Sequence, residues 1–149
     1  MAKFDERNMR EDVMGLPATL AGTAKAEGDW VDMQGFEGLT FVVSTGVVAD
    51  AGAAAGFSFT VEEGDDTTDA GATEVVDGDL IGAESDLTVT SDAAGGALIG
   101  TIGYRGDKRY VRMTATGTTG TDAVVAVTGY KTHGAVQADA TIQAVVPAT

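Results

Sequence analysis

The strongest constraint on the fold of this chain is the spacing of its apolar residues, which recur at every second position. Over residues 57–62, Phe57, Phe59 and Val61 fall on one side, and Ser58, Thr60 and Glu62 on the other. Over 39–44, Leu39, Phe41 and Val43 share a side. Such alternation buries one face of a strand and leaves the other to water. Runs at 98–104, 110–116 and 122–131 are further strands, and 30–33 gives an earlier, shorter one. The run 122–131 holds Val124, Val125 and Val127 and is expected to be the most buried. Nothing inside 18–131 carries a helical stripe.

Gly makes up 21 of 149 residues, about twice ordinary usage. That composition is compatible with disorder, but the alternating runs argue for a packed β structure. Segments 104–108 and 116–121 read as hairpin turns, where Gly supplies positive φ without a Cβ clash. Residues 49–56, ADAGAAAG, read as a long loop of small side chains, with a helix as the alternative. About seven short strands with turns every ~8–12 residues predict an all-β fold, an antiparallel β-sandwich or small barrel.

The ends differ from this body. Residues 1–17 form an expected N-terminal arm, 18–131 the β-sandwich domain and 132–149 a C-terminal arm. Within the first arm, 3–14 has the charge spacing of a short helix, with Glu6–Arg10 and Arg7–Glu11 four apart and Gly15-Leu16-Pro17 as its stop. In the second, 141–146 (TIQAVV) has strand propensity without an obvious partner. Both ends read either as frayed tails or as arms that order on neighbouring subunits.

Charge narrows the partners. Lys and Arg total 9 against 23 Asp and Glu, a formal net charge of −14. Such a chain repels nucleic acid and anionic membrane, so neither is an expected partner. The charge is also segregated. Residues 26–92 hold sixteen acids and no Lys or Arg, whereas 105–131 hold five bases (Arg105, Lys108, Arg109, Arg112, Lys131) and two acids. The simpler expectation is pairing of these bases across neighbouring strands. The alternative is a base-bearing edge that docks on an acidic partner.

The residues give little basis for chemistry. There is no Cys and one His, which excludes disulfides, thiol nucleophiles and multi-His metal clusters. His133 lacks a nucleophile in a recognisable elbow motif. The acidic run at 62–69 does not follow the Ca²⁺-loop pattern of the EF-hand and reads as a solvated loop. Residues 95–100 are Gly-rich but lack the Gly-Lys-Ser/Thr ending of a phosphate loop. Arg105-Gly106-Asp107 spells an adhesion tripeptide in a place where turn residues are expected anyway. Trp30 stands alone, which disfavours a stacking platform for sugars or bases. No cofactor and no enzymatic activity are expected. No stretch approaches the ~20 apolar residues of a membrane helix, and the start, MAKFDERNMREDVM, lacks the apolar core of a secretory signal.

The order of elements carries a resemblance. The Phe-bearing strands at 39–43 and 57–63 are followed by the acidic loop 62–66 and by Val75-Val76-Asp77-Gly78-Asp79-Leu80-Ile81-Gly82. Then come residues 102–112, IGYRGDKRYVR, and the Ala- and Val-rich run to Tyr130. Across residues 35–132 this resembles the small structural proteins of tailed-bacteriophage head modules, capsid decoration (cement) proteins among them. The resemblance implies a virion protein with a β-rich body, and the first expectation is a decoration protein, made in the host cytoplasm, that binds the major capsid protein and clusters as a dimer or trimer on the shell. A tail-tube, head-completion or fibre-base component is the structural alternative. A glycan or host-surface binding module is the alternative of another class. The expected contact residues are Phe4, Met9 and Met14 in the first arm, Ile142, Val145 and Val146 in the second, and Arg105, Lys108, Arg109 and Arg112 on the basic edge.

Overall fold

A computed structural model describes residues 10–49, 57–90, 99–117 and 122–132. In chain order its strands are β1 (Arg10–Ala21), β2 (Lys25–Glu27), β3 (Val31–Asp32), β4 (Gly38–Ala49) and β5 (Ser58–Gly64). They continue with β6 (Thr73–Glu74), β7 (Leu80–Ile81), β8 (Ile99–Tyr104), β9 (Tyr110–Thr116) and β10 (Asp122–Thr132). Short 3-10 turns cover Asp69–Gly71, Asp77–Asp79 and Glu84–Leu87. All the strand pairings are antiparallel. Sheet A has the order β1-β10-β4-β8-β7, and sheet B the order β2-β9-β5-β6, with β3 also paired to β9. The two sheets pack face to face as a sandwich, without closing into a barrel.

The alternating pattern dictates the core. Phe41, Val43, Ile102, Val125 and Val127 project inward from sheet A, and Phe57, Phe59, Val61, Val111 and Met113 close on them from sheet B. The rings of Phe57 and Phe59 meet edge to face, with centroids 5.4 Å apart and planes at 74°, the arrangement aromatic quadrupoles favour. At ~1.5–3 kcal/mol for each large apolar side chain taken from water, this inner double layer is the main favourable term in folding.

Several expectations need correction. The segment 104–108 is not a hairpin turn, because β8 belongs to sheet A and β9 to sheet B; of the segment 116–121, which joins β9 to β10 of sheet A, residues 118–121 lie outside the described residues. Each link carries the chain from one sheet to the other. The strand 122–131 is not the most buried: β10 alternates strictly, with Val124 61% exposed. β9 is the strand buried along most of its length. The helix expected over 3–14 is replaced by strand from Arg10 onward, and β1 crosses the boundary expected at residue 17. Eleven β1 residues register with β10, which outweighs two ion pairs on an isolated helix turn. Residues 3–9, the loop 50–56, the run 95–98, His133 and the segment 141–146 lie outside the described residues.

Among the described strands β1 is the outer one of sheet A on its side, and two features interrupt its regularity. Its register shifts between Met14 and Leu16, and Pro17, which has no N–H, follows. The shift falls on Gly15, where a Cβ would stand 2.8 Å from the Val127 side chain and 3.1 Å from its carbonyl oxygen. Proline is tolerated in an outer strand because one of its edges needs no ladder bond. Beyond β1 the chain turns at Gly22, whose φ of 65° is open to Gly and costly for other residues.

Candidate interaction surfaces

The sandwich has two outer faces, and their chemistry is opposite. On sheet B, the outward positions of β2, β5 and β9 bring Lys25, Glu27, Glu62 and Arg112 side by side. Arg112 is at the centre and is only 3% exposed. Its Nε donates to Glu62 Oε2 (2.8 Å), its Nη1 to Asp69 Oδ1 (2.9 Å) and its Nη2 to Glu27 Oε1 (3.1 Å). The guanidinium also lies 4.5 Å from the centroid of the Trp30 ring. Lys25 Nζ donates to the other oxygen of Glu62 at 2.6 Å. Burial opposes ionisation of Glu62, but the hydrogen bonds from Lys25 and Arg112 hold its carboxyl below the usual range. Hydrogen bonding to Glu62 in turn pushes Lys25 up. All three guanidinium nitrogens of Arg112 donate within the molecule, so this face is an ion network and not a docking cation.

The remaining bases are likewise engaged at home. Arg109 grips Asp32 with Nε to Oδ1 at 3.2 Å and Nη2 to Oδ2 at 2.9 Å, and also reaches Gln34. That pairing lowers the Asp32 carboxyl and raises Arg109. Lys108 pairs with Asp65 at 2.8 Å. Arg105 donates through Nε and Nη2 to the carbonyl of Gly78, which ties down the first residue of the Arg105-Gly106-Asp107 tripeptide. Lys131, 7% exposed, bonds the Asp32 carbonyl and Glu11 and sits 4.3 Å from the Phe36 ring centre. The bases of 105–131 therefore follow the simpler expectation, pairing within the fold. The basic edge, Arg105, Lys108, Arg109 and Arg112, does not stand as a free cationic surface.

The outer face of sheet A is different. Its rows run Tyr130–Thr40–Gly103, Thr128–Val42–Thr101 and Ala126–Ser44 across β10, β4 and β8. β1 contributes Met14 and Thr19, and β7 contributes Ile81. Val124 and Ile81 are each 61% exposed and Met14 38%. The charged side chains described on this face, Arg10, Asp12 and Asp122, lie at its ends. Arg10 pairs with Asp12 at 2.5 Å and lies 4.6 Å from the Tyr130 ring centre. A nearly uncharged sheet surface on a chain of net charge −14 is the feature that sequence reading missed. Its signal was available in the outward positions Thr40, Val42, Ser44, Thr128 and Ala126, but which strands lie side by side was not.

Of the expected arm contacts, Met14 is on this face. Phe4, Met9, Ile142, Val145 and Val146 lie outside the described residues. Among the described residues no three carboxylates or imidazoles converge on a common metal position. The acidic loop instead satisfies itself, with Asp66 accepting the hydroxyl of Thr68 at 2.6 Å and its N–H at 2.9 Å, which lowers the Asp66 carboxyl. Clefts lie beside Phe59, Leu87 and Val89, and beside Phe36, Gly106 and Arg109. No helix of the described residues is long and apolar enough to cross a membrane. No protein-family model matches the chain, and a search of curated proteins finds no match.

Proposed function

We propose that this chain is a structural virion protein of the capsid-decoration type, which binds the outside of a phage shell and strengthens contacts between major capsid subunits. The observation that supports this reading is the two-faced sandwich. One outer face has its charges locked into an internal network, and the other is flat and nearly uncharged. Such a body adheres through area and shape instead of through a reacting group. A specific contact buries ~800 Å² per partner, and repetition over a closed lattice multiplies its effect through effective concentration. The terminal arms, with Phe4, Met9, Ile142, Val145 and Val146, are the proposed additional contacts with neighbouring subunits.

The test is co-sedimentation of the purified chain with expanded, mature-like shells and with unexpanded shells, followed by thermal disruption of the decorated particles. Binding confined to expanded shells, with a raised disruption temperature, supports the reading. Hundreds of copies per particle fit decoration, whereas a dozen or fewer overturn it in favour of a connector position. An N-terminal truncation should stop at residue 9, because Arg10 already pairs with β10. Removal of 1–9 and of 134–149 should weaken shell binding and leave the sandwich folded. Unchanged binding by both truncations removes the arms from the proposal.

A further inference from the structure

We propose that residues 83–89 are a strap that opens as a unit over the cleft between the two sheets, and that the charge on Glu84 sets how tightly it closes. The device is independent of what the sandwich docks on. It starts from an unfinished edge of sheet B. β6 pairs only with Glu62 and Glu63 of β5, and the Val75 N–H then donates to the Val61 carbonyl at 3.0 Å. The chain leaves that edge at the turn Asp77–Asp79. The Val61 N–H is left to the Glu84 carboxylate, which accepts it at 2.5 Å in place of a strand carbonyl.

Two further contacts hold the strap down. Val89 exchanges two hydrogen bonds with Phe57, at 3.0 and 2.9 Å. Leu87, buried between these attachments, packs on Gly100 of β8 so closely that a Cβ there would overlap its side chain. The strap thus runs from β5 of sheet B to β8 of sheet A. It is stiffened from within, because the Asp86 N–H bonds the Ala83 carbonyl at 3.1 Å and the Thr88 N–H bonds the Ser85 carbonyl at 3.2 Å. Beneath it lies a cleft of about 230 Å³, whose wall includes Val43 of β4, Phe59 of β5, Leu87, Val89 and Gly100. A stiff segment held at a few points opens more readily than the sheets on which it rests.

The Glu84 attachment is a poor place for a charge. Glu74 of β6 and Asp77 of the next turn repel its carboxylate, Asp79 shares that turn, and Asp86 belongs to its own. On β5, Glu62 is turned to Lys25 and Arg112, and Glu63 to the Tyr104 hydroxyl. β8 carries no charged residue. Burial and the like charges raise the Glu84 carboxyl above its ordinary 4.5, against the pull of the Val61 N–H. The closed strap therefore holds this proton more tightly than an open one, whose carboxyl is in water. Opening is favoured as pH rises through the window above 4.5, and levels off once Glu84 is ionised in both forms.

Amide hydrogen exchange of the full chain, read by NMR at pH 5 and pH 7 and divided by the intrinsic rates, tests this. The N–H groups of Val61, Phe57 and Val89 should share one opening constant, larger than that of amides in β4 and β10. It should rise more than ~2-fold from pH 5 to pH 7. Glu84→Gln should keep the shared opening and abolish the pH step. Glu74→Gln combined with Asp77→Asn, both at exposed positions, should lower the opening constant at pH 7 by about two- to threefold. Separate constants for the three amides, or exchange only together with β4 and β10 through global unfolding, would overturn the strap. A native chain without the pH step, or a step that survives in Glu84→Gln, would overturn the part given to its charge. If Glu84→Gln does not fold, an unchanged constant in the double variant does the same.

Discussion

Gly28 is packed against Gly15 so closely that a Cβ on Gly28 would overlap the Gly15 carbonyl oxygen. The Gly28 N–H donates to the Met113 carbonyl at 2.9 Å, so the backbone is held in place on its other side as well. This contact joins the register shift of β1, in sheet A, to the segment between β2 and β3, in sheet B. Both obstacles are main chain and cannot rotate away. Gly28→Ala is expected to cost more than ~2 kcal/mol, or to prevent folding. Gly78→Ala, with nothing within 4 Å of the added carbon, should be near neutral. Urea unfolding of the pair measures the difference, and equal stabilities would show that the sheets separate freely at this point.

Arg112 is the second point of leverage. Removing it leaves Glu62 and Glu27 side by side beneath Lys25, with Glu62 largely buried. Breaking a buried ion network of this kind costs ~3–5 kcal/mol, so Arg112→Ala should lower stability by about that amount. Arg112→Lys should recover only part of it, because one ammonium cannot span three carboxylates with the geometry of a guanidinium.

Acid should act through Glu62 of this network and through Asp32, which Arg109 holds. The folded values of Glu62 and Asp32 lie below their ordinary values of 4.5 and 3.8. Their contribution is present above those values and is lost as pH falls through the depressed ones. Denaturant midpoints are expected to drop below pH ~4.5 and to continue dropping toward pH ~2. A shallower profile in Arg112→Ala would trace the lost part to Glu62, the remainder belonging to Asp32, which Arg109 holds, and to the Lys25 pairing of Glu62.

Glu84 works in the opposite sense. Its carboxylate accepts the N–H of Val61 at 2.5 Å, beyond the end of β6, where β5 would otherwise leave a donor unpaired. Burial raises the Glu84 carboxyl above 4.5, Glu74 and Asp77 add to the rise, and the Val61 N–H works against it. The folded chain thus holds a proton that the unfolded chain has released, and stability falls as pH climbs through the window just above 4.5. Glu84→Gln keeps the accepting oxygen and removes the charge, so it should match or exceed the native chain at pH 7. Glu84→Ala orphans the Val61 N–H and should cost ~1–3 kcal/mol. Melting curves of the two variants at pH 5 and 7 separate these effects.

The cations of the β8–β9 link yield a negative prediction. Lys108 and Arg109 are engaged by Asp65 and Asp32, and Arg105 by a backbone carbonyl. Replacing all three with Gln should leave shell binding within a factor of about two. A loss of more than ~10-fold, in a variant that melts normally, would restore the basic edge as a contact.

The strands with clean alternation were legible because period two needs only local sequence. β5, with Phe57 just before it and Phe59 and Val61 inside it, emerges where the residues placed it, and so does β9. β1 was illegible for two local reasons. Its phase shifts at Gly15, so Val13 and Leu16 no longer keep step, and Pro17 reads as a terminator. Its charges also mimic helical spacing, whereas in the strand Arg10 meets Asp12 and Glu11 reaches Lys131 on the opposite side. The sheet crossovers were illegible because a short Gly-bearing link does not say which sheet the chain re-enters. The fate of Arg112 followed from that, since Glu62, Glu27 and Asp69 are brought to it by pairings fifty, eighty-five and forty-three residues apart in sequence.

The irregular outer strand has a consequence for crowded conditions. A twelve-residue border with an unbroken row of amide donors would invite another molecule to extend the sheet sideways, and then another, into ribbons. The register shift at Gly15 and the proline at 17, which has no N–H to offer, break the regularity of β1 near its middle. Copies crowded together are thereby steered away from open-ended filaments built by sheet extension.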